Sequence, residues 1–207
     1  PLLVTAPITS NDPLCNGGSN GVATANPIGG TPPYITYQWG ATALFQTTQT
    51  ISNLSANITY DVTVTDVNGC IGIGSVTLNQ PSAINIVTTN QTNVSCNGGN
   101  DGSIQVTASG GTPNYQFRLN GNPYSPTTAG SYTFTSLLAG IYTIDVRDAN
   151  GCVTTHSVTI SEPSLLTATT SQTNVSCNGI CDGSATAIPS GGTPPYAYSW
   201  TNQVTTQ

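Results

Sequence analysis

The 207-residue chain has no Lys and no Met, a single His and a single Glu, and only two strong cations, Arg118 and Arg147. Charged residues make up 5% of it, where about a quarter is usual. With no basic patch, phosphate neutralisation has nothing to work with, which argues against nucleic acid and against an anionic membrane surface. No apolar run reaches membrane-spanning length, and no stretch keeps a helical apolar period. Scarce charge alone would suggest disorder. Yet 36% of the residues are hydrophobic, and β-branched runs and regularly placed Tyr are the marks of a folded chain. Thr, Ser and Asn supply the polar surface, and seven Asp with the one Glu set the net charge at −6.

What the chain does have is a repeat. Cys15, Cys96 and Cys177 open the phrases CNGGSNG, CNGGNDG and CNGICDG at equal intervals. Cys70 and Cys152 close DVNGC and DANGC, at nearly the same remove from the opening Cys before them. Self-similarity at a fixed period, here about 81 residues, sets the architecture. The units run over 1–80, 81–162 and 163–207, the third cut off at Gln207. Pro81 and Pro163 mark equivalent joints, which are short and poor in Gly and so predict semi-rigid links. The chain opens on PLLVTAPITS, with no signal peptide, and reads as an interior fragment of a longer secreted protein.

The runs within a unit are short, β-branched or aromatic, and bounded by Gly, Pro, Asn and Asp. In the second unit they fall at 83–89, 103–109, 115–120, 131–137, 141–148 and 152–160. Alternation places Tyr115, Phe117 and Leu119 on one face, and Tyr142, Ile144 and Val146 on a core face matched by Tyr60, Val62 and Val64. About seven short strands per 80 residues predict an all-β chain of tandem immunoglobulin-like sandwiches, each roughly 35–40 Å long.

Three further features carry the resemblance to a known family. GGTPPYxxYxW spans Gly29–Trp39, recurs in shortened form over Gly191–Trp200, and appears more weakly from Gly110 to Tyr115. The closing Y-x-V-x-V-x-D-x-N-G-C runs from Tyr60 to Cys70, and Gln80-Pro81 and Glu162-Pro163 bound the units. Together with SCNG these resemble the SprB repeat of very large surface proteins of gliding Bacteroidota, over essentially the whole chain. The closing strand also resembles PKD-type sandwiches. The resemblance implies a filamentous cell-surface adhesin, exported by type IX secretion and moved by the motility machinery through regions outside this chain. It supplies no catalytic residue. Leu119 departs from the Trp of the other units, and Cys181 is an addition whose partner, by resemblance, falls in the same third unit, near the place that Leu138 holds in the second, past Gln207.

Weighed residue by residue, the cysteines read as structural, with no base or His nearby. The expected pairs are Cys15–Cys70 and Cys96–Cys152, which would imply an oxidising, extracellular compartment. Cys177 and Cys181 are left unpaired or joined to each other. Asp66 and Asp148, in D-x-N-G, read as hairpin turns, with weak calcium sites as the alternative. Tyr37, Trp39, Tyr198 and Trp200 read as sandwich core, with a sugar-stacking surface as the alternative. His156 lacks a counterpart and an orienting acid, and Glu162 sits at a joint, so no triad or carboxylate pair is in place. The sequons at Asn53, Asn57, Asn90, Asn93 and Asn174 are expected by chance in so Asn- and Thr-rich a chain. The expectation is therefore a non-enzymatic, cofactor-free stalk at the cell surface, used in attachment and gliding. It would touch surfaces or polysaccharide and its own neighbouring repeats. The alternatives are a spacer or carbohydrate-binding accessory array of a large secreted enzyme, or a passive surface-filament subunit.

Overall fold

The computed structural model describes residues 3–201. Among them the only helical piece is a single 3₁₀ turn, Ala41–Ala43. Six strands build the first sandwich: β1 Ile8–Asn11, β2 Gly21–Ala25, β3 Tyr34–Trp39, β4 Thr50–Leu54, β5 Thr59–Asp66 and β6 Ile71–Thr77. They form two antiparallel three-stranded sheets, β1-β2-β4 and β3-β5-β6. The second sandwich repeats the plan with β7 Asn85–Thr92, β8 Gly102–Ser109, β9 Gln116–Leu119, β10 Ser131–Leu137, β11 Gly140–Arg147 and β12 Val153–Ile160, paired as β7-β8-β10 and β9-β11-β12. The third unit contributes one hairpin-like pair, β13 Thr167–Thr173 with β14 Ser184–Ser190. Among the described residues, six strands, rather than about seven, build each of these two units.

Period-two alternation decides which residues enter the core. Tyr60, Val62 and Val64 are buried, as are Ile144 and Val146, and Tyr142 packs against the second core. The first core gathers Trp39, Ile51, Leu54 and Leu78 with Ala23 and Ala25; the second gathers Phe117, Leu137 and Ile160 with Ile104 and Val106. Tyrosine hydroxyls tie the corners, as in immunoglobulin-like sandwiches. Tyr60 both accepts from the Ser55 amide and donates to the Ser55 carbonyl, and Tyr142 donates to Leu138 O.

Strand order also fixes where the cysteines lie. Cys15 sits in the 12–20 loop, at the end of the sheet where Asn11 faces Val22. Cys70 closes the β5–β6 turn, at the end where Tyr34 faces Asp66. The length of β2 alone separates those ends by about 17 Å, and disulfides need Cα atoms within roughly 7 Å. The expected Cys15–Cys70 and Cys96–Cys152 pairs are therefore not formed. The structure joins Cys15 of the first unit to Cys152 of the second, with Cα atoms 5.7 Å apart and a sequence separation of 137. Cys70, Cys96, Cys177 and Cys181 are exposed free thiols.

Candidate functional site: the joint between units

Each joint is built from two turns that the sequence marks plainly. In the opening turn the third residue must be left-handed, and Gly17, Gly98 and Gly179 occupy it with φ of 72°, 73° and 85°, a conformation that costs glycine little. The turn closes through the amides of Gly18, Gly99 and Ile180, which donate to the carbonyls of Cys15, Cys96 and Cys177. A side-chain oxygen further along the loop accepts from the amide just before each Cys: Asn20 from Leu14, Asp101 from Ser95, Asp182 from Ser176. The Ser95 and Ser176 hydroxyls and amides hold Asp101 and Asp182 below the usual carboxylate range.

The Gln/Glu-Pro boundary completes the opening turn. Gln80 Oε1 accepts from Gly17 N at 2.6 Å, and Asn16 Nδ2 donates to Pro81 O at 3.0 Å. At the next joint Glu162 Oε2 accepts from Gly98 N at 2.6 Å, and Asn97 Nδ2 donates to Pro163 O at 3.1 Å. The boundary residues that punctuate the repeat in sequence are thus the clasps that hold the linker onto the opening turn.

The closing turn is organised by a buried carboxylate. Asp148 Oδ1 accepts from the Asn150 and Cys152 amides and Oδ2 from Thr112 N, while Asn150 Nδ2 donates to Thr112 Oγ1. Asp66 repeats every bond with Asn68, Cys70 and Thr31. The Thr31 amide is the leading cause that pulls Asp66 below the usual carboxylate range, against the opposing effect of burial. Amide donors fill both carboxylates, leaving few of the six or more oxygens that calcium takes. No cluster of three or more His, Cys, Asp or Glu suited to a metal occurs among the described residues. The GG of GGTPPY belongs to the same device: a Cβ on Gly30 would lie 2.5 Å from Val4 and 2.7 Å from the Asp66 carboxylate. The motif's first Tyr then donates back to the first Gly, Tyr34 to Gly29, Tyr115 to Gly110 and Tyr196 to Gly191.

Opening and closing turns meet across the joint. Beside the Cys15–Cys152 bond, Asn150 Nδ2 donates to Leu14 O at 3.0 Å, so Asn150 bridges its own turn and the preceding unit. A crevice of about 170 Å³ flanks the bond, lined by Asn16, Ser82, Ile84, Gly111 and Asp148 among others.

The aromatic candidates lie elsewhere. Trp39 is fully buried, its indole N–H donating to Thr48 O, so it offers no stacking surface. Tyr37 packs half-buried against the same core. Tyr198 and Trp200 are half-buried in the third unit. His156 bonds Thr88 Oγ1 through Nε2 within the second sandwich. Sequence reasoning missed the cross-unit bond, although a signal was available: both cysteine types sit in turns rather than on core-facing strand positions, so neither aims across a core.

No curated protein matches the chain. Among solved structures, the three N-terminal domains of the bacteriophage RB49 outer capsid protein Hoc align over 100% of this chain and 78% of theirs, at 14% identity and a TM-score of 0.48. The eight N-terminal immunoglobulin domains of the Down syndrome cell adhesion molecule align over 94% and 28%, at 14% identity and 0.42. Fibronectin(III)-like modules of Clostridium thermocellum CbhA align over 75% and 94%, at 16% identity and 0.33. Likeness at this level carries no argument about function. The SprB repeat family matches three times, over residues 8–42, 88–123 and 169–205. Each match starts in the first strand of a unit and takes in its opening turn and GGT loop, and the chain belongs to the SprB repeat family.

Proposed function

We propose that this chain is a stretch of the stalk of a cell-surface adhesin that serves attachment and gliding, outside the cell and facing an oxidising medium. The observation that carries the reading is the covalent joint: Cys15–Cys152 spans two units rather than stapling one. A cross-link between successive units transmits tension past the sandwiches, which suits a filament pulled along its length. The family match supports a repeated surface module. No helix among the described residues is long and apolar enough to cross a membrane. The hydroxyl- and amide-rich surface would meet other surfaces or polysaccharide weakly, and repetition would turn weak contacts into avidity. The role is mechanical, with no cofactor.

The test is live-cell fluorescence tracking with an antibody raised against residues 1–162. Label that travels along the cell exterior supports a motility adhesin. Static surface label reduces the role to attachment or a passive filament. Label confined to the culture fluid overturns the reading in favour of a spacer in a secreted enzyme.

A further inference from the structure

The Cys15–Cys152 bond uses one opening and one closing cysteine, and leaves an unused closing Cys70 at one end of the pair and an unused opening Cys96 at the other. We propose that these two thiols are half-joints, each completed by a neighbouring repeat unit, so that the disulfides form a continuous ladder. Cys96 takes the closing cysteine of the third unit, in a segment beyond residue 207, and Cys70 takes the opening cysteine of a unit preceding the first. Each bond forms by thiol–disulfide exchange with the disulfide of an extracytoplasmic thiol oxidase, which accepts the two electrons and two protons and leaves as a dithiol.

The opening-turn half of the second joint is built as that of the first is. Its linker carries the same two clasps. Asn97 donates to Pro163 O at 3.1 Å where Asn16 donates to Pro81 O at 3.0 Å, and Glu162 and Gln80 both accept from their glycine amides at 2.6 Å. The opening turn around Cys96 closes with the same 3.0 Å bond as that around Cys15. The Asp66 turn that presents Cys70 repeats the Asp148 turn bond for bond. Within a unit the two cysteines lie at opposite ends of the sheets, so neither free thiol has a partner in its own sandwich. At the first joint the same two positions are bonded. The occupant is thus a sandwich of this same repeat, stacked end to end. An interface of this head-to-tail kind can repeat from each unit to the next along the chain.

The ladder has a mechanical consequence. Its loops overlap, because Cys96 lies inside the span from Cys15 to Cys152. A tensile path can cross from Cys15 to Cys152, follow the chain to Cys177, and cross again. The segment from Cys152 to Cys177 reaches about 85 Å when fully extended, close to the ~70–80 Å of two folded sandwiches. Two whole periods would reach about 550 Å without the bonds. A filament so linked keeps nearly its folded length even if its sheets melt.

The test is disulfide mapping of the intact surface protein, with free thiols alkylated before denaturation and the chain cleaved before aspartate without reduction. Peptide 66–100 carries both Cys70 and Cys96. The ladder requires it to be linked at both cysteines to peptides from outside residues 1–207, while 12–60 is linked to 148–181. Linkage of 66–100 to 12–60 or to 148–181 overturns the proposal, as does recovery of Cys70 and Cys96 as alkylated thiols. On the 207-residue chain alone, unreduced alkylation should label Cys70 and Cys96 and spare Cys15 and Cys152. Labelling of Cys15 or protection of Cys96 there would equally overturn it.

Discussion

The first and second sandwiches fill one architecture with different volumes. In the first, Trp39 lies over strand positions occupied by Ala23 and Ala25. In the second, Leu119 stands at the place of Trp39, and the same strand positions carry Ile104 and Val106. The bulk has moved from one sheet to the other. The remaining deficit is met by Phe117 stacked on Tyr132, with centroids 5.8 Å apart, and by Tyr132 edge-on to Phe134 at 4.9 Å. Cores tolerate such exchange when total volume and pattern are kept. The polar faces differ more. Arg118 pairs with Asp145 at 2.7 Å, and both Arg118 and Arg147 stack on Tyr124. The first unit has Thr63 at the place of Asp145 and no arginine at all. What the two units share, bond for bond, is the hydrogen bonding of the opening and closing turns: the turns are held constant while the core is free to drift.

That contrast can be broken at several points. The largest effect is expected at the joint. Cys15→Ser opens a loop with a sequence separation of 137, a loss of about 5 kcal/mol on a chain-entropy argument. In single-molecule pulling the oxidised chain should withhold about 480 Å of contour length, released by reduction. Two separate blocks of about 190 Å each would instead indicate pairing within units.

Next is the core exchange. Trp39→Leu should cost the first unit about 3 kcal/mol in urea unfolding, because Ala23 and Ala25 leave the space unfilled. Adding Ala23→Ile and Ala25→Val should recover part of the loss, as the second unit already does with Leu119. A triple variant no more stable than the single one would mean that the two cores are not exchangeable.

A smaller effect concerns acid. Asp66 titrates below its unfolded value because amides from Thr31, Cys70 and Asn68 favour its ionised form. Its stabilisation is therefore present above the unfolded carboxylate value near about 4 and is lost as pH falls through the lower folded value. Asp145 follows the same sign, held down first by the Thr155 hydroxyl and then by Arg118. Thermal melts between neutral pH and acid should show Asp66→Asn flattening the acid limb, with most of the change already present at neutral pH.

The smallest change is expected from Arg118→Gln. The Arg118 side chain is a third exposed, and the buried Asp145 carboxylate keeps its bond from the Thr155 hydroxyl when the cation is removed, so the loss should stay at about 1–2 kcal/mol, above that of a fully exposed pair. Chemical denaturation should therefore move little, leaving the second unit closer to the first, which lacks the pair altogether.

The strands were legible because they rest on local regularities: β-branched alternation over 131–137, for example, coincides with β10. Tyr60, Val62 and Val64 announced a core face, and Trp39 a core ring, since period two sends every second side chain inward whatever the partner strand. The carboxylate of D-x-N-G was read as a turn element, which it is, but its bond to Thr31 needed the GGT loop to be brought across the fold from a distant part of the unit. The clasps of Gln80 and Glu162 were visible only as boundary marks.

The sequence by itself determined the all-β class, the repeat period and the turns that carry each cysteine, because each of these is written in residues close together along the chain or in their recurrence. Which cysteine meets which was decided by tertiary structure alone. Six cysteines admit about fifteen complete pairings, and equal spacing favours pairs within a unit. Strand direction overrules spacing: it carries the two cysteines of one unit to opposite ends of the sandwich, and end-to-end stacking brings Cys15 to Cys152.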